Sequence, residues 1–167
     1  MHSRIFQLST KRLPEEEWID ESSISESDMG YLGIDYCSVS NNREEDLEWL
    51  AECLPKEVFK VECDRIEIIS DGSCLWEAHK AKMLDVIKNM EYSGSENSWQ
   101  NFFALGDYII AKMAKNMLGI DFLFYIDCWN QCCDWSNDLL HYALYAMKDD
   151  KDCPRILYVN GILDYHF

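Results

Sequence analysis

Basic residues are scarce in this chain: 15 lysines and arginines stand against 31 aspartates and glutamates, for a net charge of −16. A surface of that sign repels phosphate backbones and anionic lipid. Direct binding to DNA, RNA or a membrane is therefore not expected, and a basic protein is the electrostatically favoured partner. Long apolar runs are lacking as well. No stretch approaches the roughly 18 apolar residues of a membrane span. The opening MHSRIFQLSTKR lacks the apolar stretch that a secretory signal needs.

The eight cysteines (37, 53, 63, 74, 128, 132, 133 and 153) lack the spacing of a disulfide framework, and most lie within apolar patterns. Free thiols in a reducing cytoplasm are expected. A phosphate-binding loop is also missing: SDGSCLW holds a single glycine. No repeat occurs, and no low-complexity tract beyond one acidic stretch.

What is present is enough for one domain spanning residues 1–167. A chain of this size buries roughly 70% of the surface that it exposes when unfolded. The apolar share of 48% and the aromatic share of 13% fit a packed core and do not fit a disordered acidic tail. The charge is uneven. From Leu13 to Pro55 there are 13 acids against one base, Arg43, a net −12; from Trp76 to Leu118 five acids face five bases. An acidic segment at about 13–55 is thus the most informative feature.

Local patterns predict the elements. SRIFQLS opens as a strand. Pro14 and the glutamates after it suit a short helix over Glu15–Glu21. DMGYLGIDYCSVS reads as a glycine-punctuated loop passing into an extended segment. Asn42, with Glu45 three residues on, forms a variant capping box that starts a helix ended by Pro55, with Leu47, Leu50, Ala51 and Leu54 as its apolar stripe. EVFKVECDRIEIIS is a hairpin turning near Cys63 and Asp64. Two longer helices follow at about 73–90 (Trp76, His79, Met83, Ile87 and Met90 inward) and 96–118, where Gly106 marks close approach by a neighbour. IDFLFYID is a buried strand. CCDWSNDLLHYALYAMK is a last helix, with Trp135, Leu139, Tyr142, Ala143 and Ala146 inward. Asn160-Gly161 predicts a type I′ turn in a closing hairpin, with Ile156, Tyr158, Leu163, Tyr165 and Phe167 on one face. The expected class is α+β: a mostly antiparallel sheet of about five or six strands, covered on one face by three or four helices.

Several groupings carry potential chemistry. Cys128, Cys132 and Cys133, with His141 and Cys153 beyond, resemble half of a zinc site, but the second ligand pair is missing. No metal or cofactor is expected. Asp134, Asp138, His141 and Tyr145 form a polar row opposite the apolar stripe of their helix, which reads as a wet face. Asp164 and His166 share one side of their strand; in the hairpin register they face Leu157 and Arg155, which is ordinary surface pairing. Cys74 and His79, five residues apart on a helix, point about 140° apart and so form no nucleophile pair.

The acidic segment is the remaining candidate. Glu44, Glu48 and Glu52 make one row, each about 6 Å from the next, and Glu45 and Asp46 flank it. With Glu15, Glu16, Glu17, Asp20 and Glu21, and with Trp18 and Trp49 as aromatic anchors, they are the expected partner-binding residues. A ladder of carboxylates mimics a nucleic-acid backbone to a basic groove. The leading expectation is an acidic inhibitory binding protein, not an enzyme, that blocks a nucleic-acid-binding enzyme in the manner of anti-CRISPR or antirestriction inhibitors. Alternatives are an immunity protein against a basic nuclease toxin and a small hydrolase-like enzyme using an Asp/His pair (Asp138 with His141, or Asp164 with His166).

Overall fold

The computed structural model describes residues 2–92, 117–127, 137–148 and 151–166. Its elements in chain order are β1 (His2–Ser9), 3-10 turns at Glu15–Glu17 and Glu21–Ser23, α1 (Glu26–Leu32), β2 (Tyr36–Val39), α2 (Arg43–Cys53), β3 (Phe59–Glu62), β4 (Arg65–Ile68), α3 (Ser73–Tyr92), β5 (Leu123–Ile126), α4 (Asn137–Ala146) and β6 (Ile156–His166). The described strands form a single six-stranded sheet. It is antiparallel except where β1 runs parallel to β5. The class is α+β, as the sequence predicts.

The 11 residues of β6 are the axis of this sheet. One of its edges pairs with β1 along nearly its whole length. The other edge is shared: β4 takes Ile156–Tyr158, and β2 takes Leu163–His166. The closing hairpin is therefore not formed, because Asn160 and Gly161 lie inside one continuous strand. Gly161 is absent from the residues with positive φ, which a type I′ turn requires. Instead the register slips between Phe6 and Leu8, which pair with Ile162 and Val159. That is a bulge carrying one extra residue in β6, a feature that glycine in a strand often marks. Gly161 donates its N–H to Gln7 Oε1 at 3.0 Å, and a Cβ at that position would stand 2.8 Å from the Ile19 nitrogen. Close approach by another backbone is what demands glycine here.

The bulge also distributes the core. Successive strand residues point to opposite faces. The main core holds Phe6, Leu8, Phe124, Ile126, Leu157, Val159 and Ile162 under Leu50 and Leu54 of α2 and Leu139, Tyr142, Ala143 and Ala146 of α4. The other face is covered too. Ile5, Leu123, Leu163 and Tyr165 pack there against Ile19, Ile24 and Ile34. The extra residue in β6 puts Val159 and Ile162 into one core, three positions apart, where strict alternation would separate them.

Other elements differ from expectation in detail. Glu15–Glu21 forms no α-helix: Pro14 sits before a 3-10 turn, and Trp18 returns to extended backbone at φ −75°, ψ 148°. The loop expected from Asp28 contains α1, which Ser25 caps by accepting from the Asp28 N–H and which Gly33 ends at φ 69°. The β3–β4 hairpin has the expected turn, with Cys63 at φ 53°. On α3, Trp76 is exposed and Leu75 packs against the core in its place. The helix expected at 96–118, Trp135 and Phe167 lie outside the described residues, except 117 and 118.

Candidate protein-binding surface

Helix α2 is held from one side and bare on the other. At its start Arg43 donates to the carbonyls of Val159, at 2.6 Å, and Asn160. Those carbonyls belong to the stretch of β6 that lies between its pairings with β4 and β2, so the guanidinium satisfies backbone that no strand reaches. Burial lowers the Arg43 pKa, while Asp64, Asp46 and Glu15 act in the opposite direction. The ring of Trp18 lies 4.7 Å from the guanidinium carbon. Asn42 occupies the cap position, but its side chain makes no capping bond. The expected capping box is thus absent.

One turn on, Asp46 is 2% exposed. It accepts from Arg4 Nε at 2.6 Å and from the Ser40 hydroxyl. Sequence reasoning places Asp46 in the wet acidic flank; the structure makes it the polar pin that seats α2 on β1. With Leu50 and Leu54 in the core, it fixes which side of the helix faces outward. That side carries Glu44, Glu45, Glu48 and Glu52, all exposed and without an ion pair among the described residues. Trp49 is half-buried at its base, edge-on to Phe122 with ring centroids 4.6 Å apart, and Arg4 stands 5.5 Å from its ring centre.

The earlier acids are placed differently. Glu15, Glu16 and Glu17 are exposed on their 3-10 turn. Asp20 caps the next turn through the Ser22 N–H at 2.9 Å, and the Ser22 hydroxyl and backbone lower its pKa. Glu21 Oε1 accepts the Val39 N–H at 3.0 Å, which covers part of the β2 edge. Trp18 donates its indole N–H to the Leu13 carbonyl and stacks on Arg43, so it braces the fold. Ile19 and Ile24 belong to the second core, and Leu50 and Leu54 to the main one. The apolar anchors of the two halves of the acidic segment therefore lie in different cores, and the halves meet where Trp18 stacks on Arg43.

At the end of the main-core face, three strands align polar side chains in two rows. Tyr36, His166 and His2 make the first, and Ser38, Asp164 and Arg4 the second. His2 Nδ1 lies 3.0 Å from Asp164, whose other oxygen meets Arg4 at 3.2 Å. His166 Nδ1 lies 3.0 Å from Asp35. The imidazoles of His2 and His166 are 5.2 Å apart, and Tyr36 stacks on His166 at 5.3 Å, within 7° of parallel. Asp164 and His166 do share a face, but their cross-strand neighbours are Arg4 with Ser38 and His2 with Tyr36, not Leu157 and Arg155. The hairpin register fails together with the hairpin.

The remaining groupings lie only partly among the described residues. His141 is exposed beside Tyr145, with ring centroids 5.4 Å apart; Asp134 lies outside the described residues, and so does the side chain of Asp138. Cys74 is exposed and His79 buried, its Nε2 without a hydrogen-bond partner among the described residues. Cys128, Cys132 and Cys133 are outside the described residues. The thiols of Cys37, Cys53, Cys63, Cys74 and Cys153 are not in disulfides. Among the described residues no group of three or more His, Cys, Asp or Glu could hold a metal ion, and no helix is long and apolar enough to cross a membrane. Comparison with protein families, curated proteins and solved structures returns no match.

Proposed function

We propose that the protein is an inhibitory binding protein that presents α2 to the basic groove of a nucleic-acid-handling protein and competes there with DNA or RNA. The observation that carries this reading is the exposed, unpaired row Glu44, Glu48 and Glu52, with Glu45 beside it, on a helix seated by Arg43 and Asp46. Carboxylates at a repeat of about 6 Å on a seated helix meet a basic groove with little ordering cost. The reading centres on α2: Glu15, Glu16 and Glu17 are exposed on the turn before Trp18, while Asp20, Glu21 and Trp18 have structural tasks.

The test is competition. Basic nucleases and nucleic-acid-binding effectors are loaded with labelled DNA or RNA, and displacement by the protein is measured at low and high salt. Displacement of at least one of them, weakened by salt and abolished by the triple substitution Glu44→Lys, Glu48→Lys, Glu52→Lys, is the expected outcome. Displacement that survives the triple substitution overturns the assignment to α2.

A further inference from the structure

Two large aromatic side chains stand partly in water on neighbouring parts of one face: Tyr36 is 51% exposed and Trp49 is 38% exposed. They are joined by direct contacts. Tyr36 stacks on His166, His166 meets His2, His2 pairs with Asp164, Asp164 with Arg4, and Arg4 lies against Trp49. On α2, Glu45 and Glu52 stand four residues before and three after Trp49, a spacing that puts both on the indole's flank. At the other end Asp35 is exposed beside Tyr36. Each exposed ring thus has carboxylates at its rim.

A ring face with carboxylates at its edge suits a planar cation: the guanidinium stacks flat while its N–H groups reach the acids. The chain uses the same pairing internally, with Arg12 over Tyr158 at 4.7 Å and Arg43 over Trp18 at 4.7 Å. We infer that the strip from Tyr36 to Trp49 receives an arginine-bearing segment of the partner protein, with one guanidinium on Trp49 between Glu45 and Glu52 and another at Tyr36 and Asp35. This rests on the binding-surface reading above and supplies its specificity: α2 gives the charge, and the aromatic strip selects arginine over lysine. Tyr36 on β2 and Arg4 on β1 are separated by β6, two strand spacings or roughly 10 Å, and Trp49 stands beyond Arg4 on α2. An extended segment joins the two rings with arginines a few residues apart.

The test uses the full chain with two peptides of equal charge, nona-arginine and nona-lysine, at one low salt concentration. Binding is followed by the indole N–H resonances. The expected result is a perturbed Trp49 indole and affinity about threefold higher for the arginine peptide. Trp49→Leu, with the fold verified by circular dichroism, removes the preference while lysine binding persists. Tyr36→Ser, at a more exposed position, reduces the preference and leaves Trp49 intact. Equal affinity for the two peptides overturns the inference, and so does an arginine preference that survives both substitutions. If both peptides bind equally and the Glu44/Glu48/Glu52 lysine variant loses both, the charged helix stands and the arginine anchor alone falls. If neither peptide binds, anchor and binding surface fall together.

Discussion

The carboxylate of Asp46 takes a 2.6 Å hydrogen bond from Arg4 Nε in the angle between α2 and the sheet, and this pair decides which way the acidic helix faces. Asp46 is buried, and the Arg4 side chain is 18% exposed. Removing one member strands the other, a cost typically of about 3 kcal/mol. Asp46→Ala is therefore expected to lower the denaturation midpoint sharply. The double variant Arg4→Met, Asp46→Leu should recover much of the loss, because an apolar pair leaves no uncompensated charge at the buried contact, and Asp164, which also loses Arg4, is partly exposed and keeps His2. Urea titration of the three proteins checks this; equal stability of Asp46→Ala and wild type would remove the pin from the account.

Gly161 makes the second prediction. Its Cβ position is 2.8 Å from the Ile19 nitrogen and 3.0 Å from Gln7 Oε1, the group that accepts both backbone N–H bonds at the bulge. A methyl there must push the second-face segment away. Gly161→Ala should cost about 2 kcal/mol. It should also raise amide exchange at Ile19 while leaving α2 protected. Uniform loss of protection, or none, would contradict the bulge.

These two positions show what was readable in the sequence. The β3–β4 hairpin and α2 were legible because their signals are local: β-branched runs about Cys63-Asp64, and an apolar stripe closed by Pro55. Asn160-Gly161 carries the same local signal for a turn and for a bulge. The choice is made by Gln7, 154 positions away. Asp46 likewise reads as one more solvent acid until Arg4, 42 residues earlier, comes into contact. In the candidate site, the exposed row of Glu44, Glu48 and Glu52 followed from helical spacing alone. The cap that Asp20 makes on Ser22 and Ser23 is local, whereas the task of Glu21, and the anchoring of the two acidic halves in different cores, depended on tertiary partners that no local pattern encodes.

Stability in acid should depend on Asp64. Its hydrogen bond from Arg12 Nε at 2.7 Å, and then the charge of that guanidinium, hold its pKa below the usual carboxylate value against the opposing effect of burial. A folded pKa below the unfolded one contributes stability that is complete above the unfolded value, about 3.9, and is lost as pH falls through the folded value. Asp64→Asn should thus be less stable than wild type at neutral pH, and the difference should close in strong acid. The gap is small because Arg12 is exposed to screening solvent. Thermal unfolding across pH 2–7 reads it, and a difference that widens in acid has the wrong sign.

Asp127 should behave in the opposite way. Burial raises its pKa, and Glu17 adds to this, although Gln7 Nε2 donates to it at 3.3 Å. A folded pKa above the unfolded one contributes stability that is present below the unfolded value and lost as pH rises through the folded value. At neutral pH the carboxylate is therefore a burden on the fold. Asp127→Asn keeps an acceptor for Gln7 and drops the charge, so it should raise the melting temperature at pH 7 and leave it nearly unchanged at pH 3. A gain at pH 3 equal to that at pH 7 would trace the effect to something other than ionisation.

The carboxylate row should itself lower stability. Like charges four residues apart on a helix cost about 0.3 kcal/mol per pair. Glu44, in the first turn, recovers part of this from the helix dipole, whereas Glu52, near the C-terminal end, is opposed by it. Glu52→Gln should therefore stabilise more than Glu44→Gln, and added salt should stabilise wild type more than either variant. A face kept only for solubility gives no reason for the same substitutions to alter partner capture. A binding face predicts that Glu52→Gln raises the melting temperature while weakening displacement of nucleic acid from the target, the trade-off expected where function is built from repulsive groups. Measuring both quantities on each variant separates the two, since stability gained with displacement unchanged would leave the row as solvated surface.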